Sequence, residues 1–328
     1  MSAPRFAVGV DLGTTHCAIS YVDLEASEGD EASQRMLPIP QVITPGSIES
    51  KELLPSFLYI PGAGELAEGA LTLPWDPQPS VGVGEVARGL GAKTPIRVVS
   101  SAKSWLCHGG VDRHAPILPP DAPDEVQKVS PLEASVLYLD HLRSAWNTAH
   151  PEAPLEAQDV VITVPASFDP AARELTAEAA RAAGLSNMVL LEEPQAALYS
   201  WIEKSAGGWR EQVGVGDVIL VVDVGGGTTD LSLIAVAERE GALELHRIAV
   251  GDHILLGGDN MDLALAVSVR AKLEAEGKKL DSFQLTALTH GCRAAKEQLL
   301  SDASLASVPI AVPSRGSKLI GGSIRTEL

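Results

Sequence analysis

One short pattern occurs twice in this chain, and its recurrence constrains the fold more than any other feature. Residues 8–20 read VGVDLGTTHCAIS and residues 221–233 read VVDVGGGTTDLSL. Each copy has a hydrophobic strand with an Asp near its end, a Gly/Thr turn and a second strand, so each predicts a β-hairpin. Repetition over this distance points to a duplicated architecture with two hairpins facing one another. The turns also carry chemistry. Glycines let backbone N–H groups approach an anion with no Cβ in the way, and Thr14, Thr15, Thr228 and Thr229 add hydroxyl donors. Asp11 and Asp223 stand where a carboxylate can hold a magnesium ion through its water shell. Two such turns can enclose a polyphosphate from both sides. Neither has GxxxxGK[ST] spacing nor opens directly into a helix, which excludes a P-loop or a Rossmann turn. A single GTT turn is as well read as an ordinary hairpin; matched Asp and Thr residues in two copies are not.

Composition narrows the ligand class. The chain has 328 residues, 43 acidic and 25 basic side chains and a net charge of −18. Such a surface repels nucleic acid and anionic lipid, so a phosphate ligand needs a local site. No apolar run approaches the ~20 residues that span a bilayer, and the N-terminus reaches Asp11 too soon for a signal peptide. Cys17, Cys107 and Cys292 have no pair spacing and read as reduced core thiols of a cytoplasmic protein. No HExxH or paired-Cys spacing occurs, so no zinc site is expected. The eight histidines form no ligand pattern; His141 and His150 are placed at a helix surface and a helix end.

Between the hairpins, residues 37–125 are rich in Pro and Gly and predict an irregular subdomain with one clear strand at 56–60. Ser130-Pro131-Leu132-Glu133 is a capping box with Pro at the first helical position, and His150-Pro151 stops that helix. A buried strand at 160–164 ends in Pro165. Asp169-Pro170 opens a helix that Gly184 ends, a strand follows at 188–191, and Pro194 opens a helix through Trp201. Past the second hairpin, helices are expected from Asp259 to about Ala275 and over 282–300, the latter carrying Gly291 at a cost of about 1 kcal/mol, before a final hairpin.

The motifs resemble the actin, sugar-kinase and heat-shock-70 ATPase superfamily, and within it the heat-shock-70 (DnaK-type) chaperones. VGVDLGTTHCAIS and VVDVGGGTTDLSL resemble the family's two phosphate loops, SSAKSWL (100–106) its lysine-bearing segment, and VITVPASFDPAARE (161–174) its Pro-switch strand and helix. LLEEPQAAL (190–198) resembles its Glu-Pro connector, GDHILLGGDNMD (251–262) the approach to its upper second lobe, and CRAAKEQLL (292–300) its adenosine-side helix. The motifs keep the family's order and cover nearly the whole chain. The resemblance implies an α/β, actin-like ATPase fold: two lobes with duplicated sheet and helix cores around a central nucleotide cleft. Lobe I would span 1–212, with a core of 1–36 and 126–212 and an upper subdomain of 37–125. Lobe II would span 213–328, with a core of 213–252 and an upper subdomain of 253–328.

The resemblance further implies ATP or ADP with Mg2+, and K+ as a companion cation. Lys103 would face the γ-phosphate, and Glu193 would orient the water or the magnesium shell. Asp11 and Asp223 would flank the phosphates as outer magnesium ligands, either one able to polarise the attacking water, and Thr228 would join them in catalysis. Gly13, Thr14, Thr15 and His16 in the first turn, and Gly225, Gly226, Gly227 and Thr229 in the second, would cradle phosphate. Gly257, Gly258, Arg293, Lys296, Glu297 and Leu300 would border the nucleoside. Asp230 reads equally as a monovalent-cation ligand or a turn-stabilising carboxylate. Arg173 reads equally as the relay partner of Pro165 or as a solvated helix residue; Glu192 reads as a solvated neighbour of Glu193. Nucleotide-exchange factors and J-domain co-chaperones are implied partners.

Two departures stand out. The family usually has Glu near the position of Arg293 and often a basic residue where Glu297 stands, so the charges at the purine edge are exchanged. The family also continues past the final hairpin with a second Gly-rich adenosine loop, a last helix, a linker and a peptide-binding domain. The expectation is therefore a fragment stopping within lobe II, with uncovered apolar surface, weak ATP binding and poor preference for adenine over guanine. The competing readings are a filament-forming actin-like ATPase, a sugar or acetate kinase, and a regulatory relative with little hydrolysis.

Overall fold

The computed structural model describes residues 3–26, 34–120, 122–252, 254–313 and 323–328. The first hairpin, β1 (Phe6–Leu12) and β2 (His16–Asp23), is antiparallel and in continuous register from Phe6↔Asp23 to Leu12↔Cys17. Short strands follow at β3 (Arg35–Met36), β4 (Ile39–Thr44), β5 (Ser47–Lys51), β6 (Leu53–Pro55), β7 (Leu58–Tyr59) and β8 (Gly82–Val83). Helix α1 (Glu85–Gly91), strand β9 (Val98–Val99) and helix α2 (Ala102–Leu106) complete the Pro/Gly-rich region. Ordered pieces are therefore denser here than the sequence suggests. The strand expected over 56–60 is only β7, and neither α1 nor α2 was foreseen, because elements this short carry too few residues to show periodicity.

Helix α3 (Pro131–Ala149) starts at the expected capping box, where the Ser130 side chain accepts from the Glu133 amide and the Glu133 carboxylate accepts from the Ser130 amide. Strand β10 (Asp159–Val164) runs parallel to β1, and helix α4 (Pro170–Ala182) is capped by Asp169 and closed by Gly184 at φ +90°. Strand β11 (Val189–Glu192) pairs parallel with β10, giving the order β11-β10-β1-β2-β3 with β6 also on β2. One face of this six-stranded sheet packs on α3. Phe6, Val8, Val10 and Leu12 alternate inward along β1, and Trp146 meets Phe6 and Tyr21 edge-on.

Helix α5 (Glu193–Lys204) packs against β10, β11 and β12 (Val218–Val224), so it bridges the two repeats; the four-residue α6 (Trp209–Gln212) lies between α5 and β12 in the chain. Strands β12, β13 (Thr229–Arg239) and β14 (Ala242–Val250) form an antiparallel three-stranded sheet, its first hairpin in register from Val218↔Ala235 to Val224↔Thr229, with Asp223 opposite Asp230 beside the turn. Helices α7 (Gly258–Ala275) and α8 (Ser282–Ser301) pack together over β15 (Pro309–Val312), which pairs with β16 (Ile324–Glu327) as the expected final hairpin. Leu273, Leu288, Cys292 and Ile310 are the centre of that small core. Among the described residues no helix is long and apolar enough to cross a membrane.

One position departs from expectation. His141 is buried in α3, not on its surface, and its Nε2 lies 2.9 Å from the Pro40 carbonyl. Burial lowers its pKa to about 4, so it is a neutral core group. The β12 face opposite the cleft alternates Val218, Leu220, Val222 and Val224, each 54–56% exposed. A contiguous apolar strand face in water favours association. Leu220→Lys with Val222→Lys is expected to lower self-association in sedimentation velocity while leaving secondary structure intact.

Gly291 has a packing reason. A Cβ there would fall 2.6 Å from Cγ2 of Ile310 in the α8–β15 core. Alanine would gain about 1 kcal/mol of helix propensity, but forcing a methyl into a filled core costs about 1–3 kcal/mol. Gly291→Ala is therefore expected to lower the thermal midpoint; a raised midpoint would show that Ile310 moves aside.

Candidate functional site

The two repeated turns meet. A Cβ built on Gly226 would fall 2.1 Å from Cγ2 of Thr15, and one on Gly227 would fall 2.2 Å from Oγ of Ser104. Only glycine permits this approach. Beside the contact lies a cleft of about 550 Å³ lined by both turns and by Asp11, Lys103, Thr163, Glu193, Ser200 and Asp223. The turn residues Gly13, Thr14, Thr15, His16, Gly225, Gly226 and Thr228 all border it, and the catalytic candidates share its wall.

Each turn is held from behind. The Ser56 hydroxyl donates to the Gly13 carbonyl at 2.8 Å, and the Ser56 amide donates to the Thr15 carbonyl at 2.9 Å. The second turn is held by the start of α7: the Gly258 amide donates to Gly225 O at 3.0 Å and the Asp259 amide to Gly226 O at 2.7 Å. Thr229 Oγ1 donates to Leu256 O, and Thr228 Oγ1 donates to Asp230, which is buried beneath the turn. Asp230 thus braces the turn, one of its two expected roles. Ser56 was missed by sequence reasoning, since a lone Ser in a Pro/Gly-rich stretch carries no signal of its own.

Helix α2 brings Lys103 to the cleft, where its Nζ donates to Glu193 Oε1 at 2.6 Å. Glu193 is the first residue of α5 and Asp11 lies near the end of β1, its Oδ1 accepting from Thr163 Oγ1 at 2.8 Å. Burial works against the Lys103 ammonium, but the carboxylates of Glu193 and Asp11 outweigh it and hold its pKa above the ordinary lysine value. Burial raises Glu193, with Lys103 opposing and Asp11 and Asp223 adding to the rise. Burial also raises Asp223, as does Asp230. Three acids thus share one cation; burial first, and then the neighbouring carboxylates, raise Glu193 and Asp223.

This oxygen-rich, net-negative set suits a hard divalent cation. Among the described residues no three acidic, His or Cys side chains converge closely enough to chelate a bare metal ion. The carboxylates of Asp11, Glu193 and Asp223 beside the two Gly/Thr turns fit Mg2+, which keeps most of its water and is held by one or two carboxylates together with phosphate oxygens.

Glu192 is not a solvated neighbour. Its carboxylate is held by Arg173 of α4 and Arg247 of β14, so it ties the six-stranded sheet to the three-stranded one. The sequence shows no pairing between residues so far apart in the chain. Farther up the cleft, Arg293 of α8 is bound to Asp259 and, at 2.7 Å, to the buried Asp262; Lys296 reaches Asp262 at 2.6 Å. Glu297 pairs with Arg88 of α1 at 3.4 Å, and Leu300 is 81% exposed. Ser101, whose φ is +55°, donates to Asp259.

The family model described as Hsp70 protein matches residues 116–320. The chain belongs to the Hsp70 family. Its duplicated hairpins around a cleft are the actin-like ATPase fold of that family. Curated relatives agree: a chaperone protein HscA homolog of Pseudomonas putida is 32% identical over 93% of this chain and 43% of its own length. Homologs of the same name from Methylococcus capsulatus and Acidithiobacillus ferrooxidans are 32% and 30% identical, over 96% and 98% of this chain. The Hsp70-family chain spans less than half the length of these relatives.

A pKa raised by folding favours the folded state below the ordinary value, and that contribution is lost as pH climbs through the raised one. For Glu193 and Asp223 the loss falls above the usual carboxylate range; for Lys103 it falls in strong alkali. Between about pH 5 and about pH 7, Glu193→Gln is therefore expected to flatten the decline in unfolding free energy. Urea melts at both pH values check this, and an unchanged slope would place the Glu193 titration outside that window.

Proposed function

We propose that this chain is the ATP-binding and ATP-hydrolysing part of an Hsp70-type chaperone, working on Mg-ATP in the cleft between two lobes. The lobes correspond to residues 1–212 and 213–328. The observation that carries this reading is the meeting of two Gly/Thr turns over one cleft that also holds the Lys103–Glu193 pair, Asp11 and Asp223. The HscA chaperone names of the relatives supply the chaperone context. J-domain and nucleotide-exchange partners, K+ beside Asp230 and a cytoplasmic setting belong to the same proposal.

The chemistry needs no covalent intermediate. Backbone amides and the Thr14, Thr15 and Thr228 hydroxyls bind and orient the phosphates. Lys103 presents its ammonium to the transferring phosphoryl group, where charge moves in the transition state. Glu193, held by Lys103, orients the attacking water and accepts a hydrogen bond from it at a carboxylate oxygen. Asp11, Glu193 and Asp223 would hold the water shell of Mg2+, which when bound supplies charge neutralisation of the phosphates. Binding and release of nucleotide would turn the lobes about α5, the helix packed on both sheets.

Losing one positioned electrostatic group typically costs about 3 kcal/mol, roughly a hundredfold in rate. Lys103→Ala and Glu193→Ala are each expected to slow single-turnover ATP hydrolysis by about that factor while weakening binding less. Unchanged rates in both would remove them from the site. Gly226→Val drives a branched side chain into Thr15 and pushes the turns apart, so calorimetry with Mg-ATP is expected to show binding lost. Parent-like affinity would refute the two-turn cradle.

A further inference from the structure

Behind the first turn runs a short chain of polar groups with a single direction. Ser56 is buried, and its hydroxyl donates to the Gly13 carbonyl at 2.8 Å. Cys17 Sγ lies 3.3 Å from the same hydroxyl oxygen. A serine hydroxyl carries a single proton, and a carbonyl has none to give. Ser56 therefore spends its proton on Gly13, and the Cys17 thiol is left as the donor to Ser56. Cys17 is fully buried, and burial pushes its pKa up to about 12, so the thiol keeps that proton at neutral pH. The order is thiol to hydroxyl to carbonyl, and hydrogen bonds in such a series strengthen one another. The backbone of Ser56 grips the turn a second time, its amide donating to the Thr15 carbonyl at 2.9 Å. One residue thus takes two carbonyls of one turn. In a planar trans peptide the N–H points opposite to the C=O. Tying back the Gly13 and Thr15 carbonyls therefore turns the Thr14 and His16 amides away from Ser56. Gly13, Thr14, Thr15 and His16 line the cleft, and Ser56 stands behind them. The matching carbonyls of the second turn, Gly225 and Gly226, are taken by backbone amides of α7 and owe nothing to a side chain.

We propose that Ser56 is the positioning residue of the first phosphate turn and that Cys17 orients it, so that the Thr14 and His16 amides are aimed at the polyphosphate before it arrives. This rests on the nucleotide reading above and deepens it, giving a part in binding to two residues that touch no ligand. Donors fixed in advance bind without the cost of reordering the turn. Ser56→Ala removes the hydroxyl but keeps the backbone bond to Thr15, so the turn stays in place while the Gly13–Thr14 peptide is freed to rotate. Cys17→Ala leaves the hydroxyl without the donor that sets its direction.

The test is calorimetric titration of this chain and its variants with ATP, ADP and tripolyphosphate, each with Mg2+, at a temperature where circular dichroism shows every variant folded. Ser56→Ala is expected to weaken all three by about fivefold, the equivalent of about 1 kcal/mol on the scale of tenfold per 1.4 kcal/mol. Ser56→Thr, which keeps the hydroxyl, is expected to stay within about twofold of the parent. Cys17→Ala is expected to cost about two- to threefold, and Cys17→Ser, which keeps a donor, to bind like the parent. The Cys17 pair carries the test if Ser56→Ala fails to fold. A second readout is the amide proton resonances of Thr14 and His16. Both are expected to move downfield when Mg-tripolyphosphate is added to the parent, and to move less in Ser56→Ala. A lowered melting temperature in Ser56→Ala with affinities and amide shifts unchanged would leave Ser56 a packing role only, overturning the proposal while nucleotide binding stands. Equal losses in Cys17→Ala and Cys17→Ser would overturn the part given to Cys17. Failure of the parent to bind any of the three probes would overturn the nucleotide reading and this proposal with it.

Discussion

Everything at the centre of this molecule depends on how closely two backbone turns approach. Thr15 and Gly226 touch, and Ser104 lies against Gly227, because no Cβ stands between them. That contact sets the separation of the two sheets, and the separation determines which side chains share the cleft. The start of α7 is bonded to the carbonyls of the same turn, so the upper C-terminal helices inherit its position.

The second constraint is electrostatic. A chain with net charge −18 gathers three further acids around Lys103, with burial raising the pKa of two of them. Alone, such a group works against the folded state; with a divalent cation and phosphate present, its charges balance. The unfavourable arrangement is tolerated because the surrounding sheets are secured elsewhere, by the Trp146 core and by the Glu192 contacts to Arg173 and Arg247. A strained or poorly compensated charge cluster within a well-packed scaffold is the expected mark of a working site.

Much of this was legible from residues alone. Period-two alternation and the Gly/Thr turns identified both hairpins, and the boundaries of α3 and α4 followed from Ser130, Glu133, Asp169 and Gly184, whose effects are local. Lys103, Glu193, Asp11 and Asp223 were legible through motifs, and they line one cleft. Ser56, Thr163 and Ser101 were not, because a hydroxyl acquires meaning only from the atom it bonds. Glu192 was misjudged for the same reason: its partners lie in α4 and β14, and nothing near it in sequence announces them.

The sequence by itself determined the repeat, the strand and turn chemistry and the supply of acids, because periodicity, capping and glycine placement act over a few residues. Tertiary structure alone decided what the charges do. Arg293 and Lys296 could face a ligand as well as a neighbour, and only the packing of α7 on α8 brings Asp259 and Asp262 within bonding distance and claims both cations. An ion pair depends on separation in space, and helices joined by a short loop can set that separation in ways the order of residues does not encode.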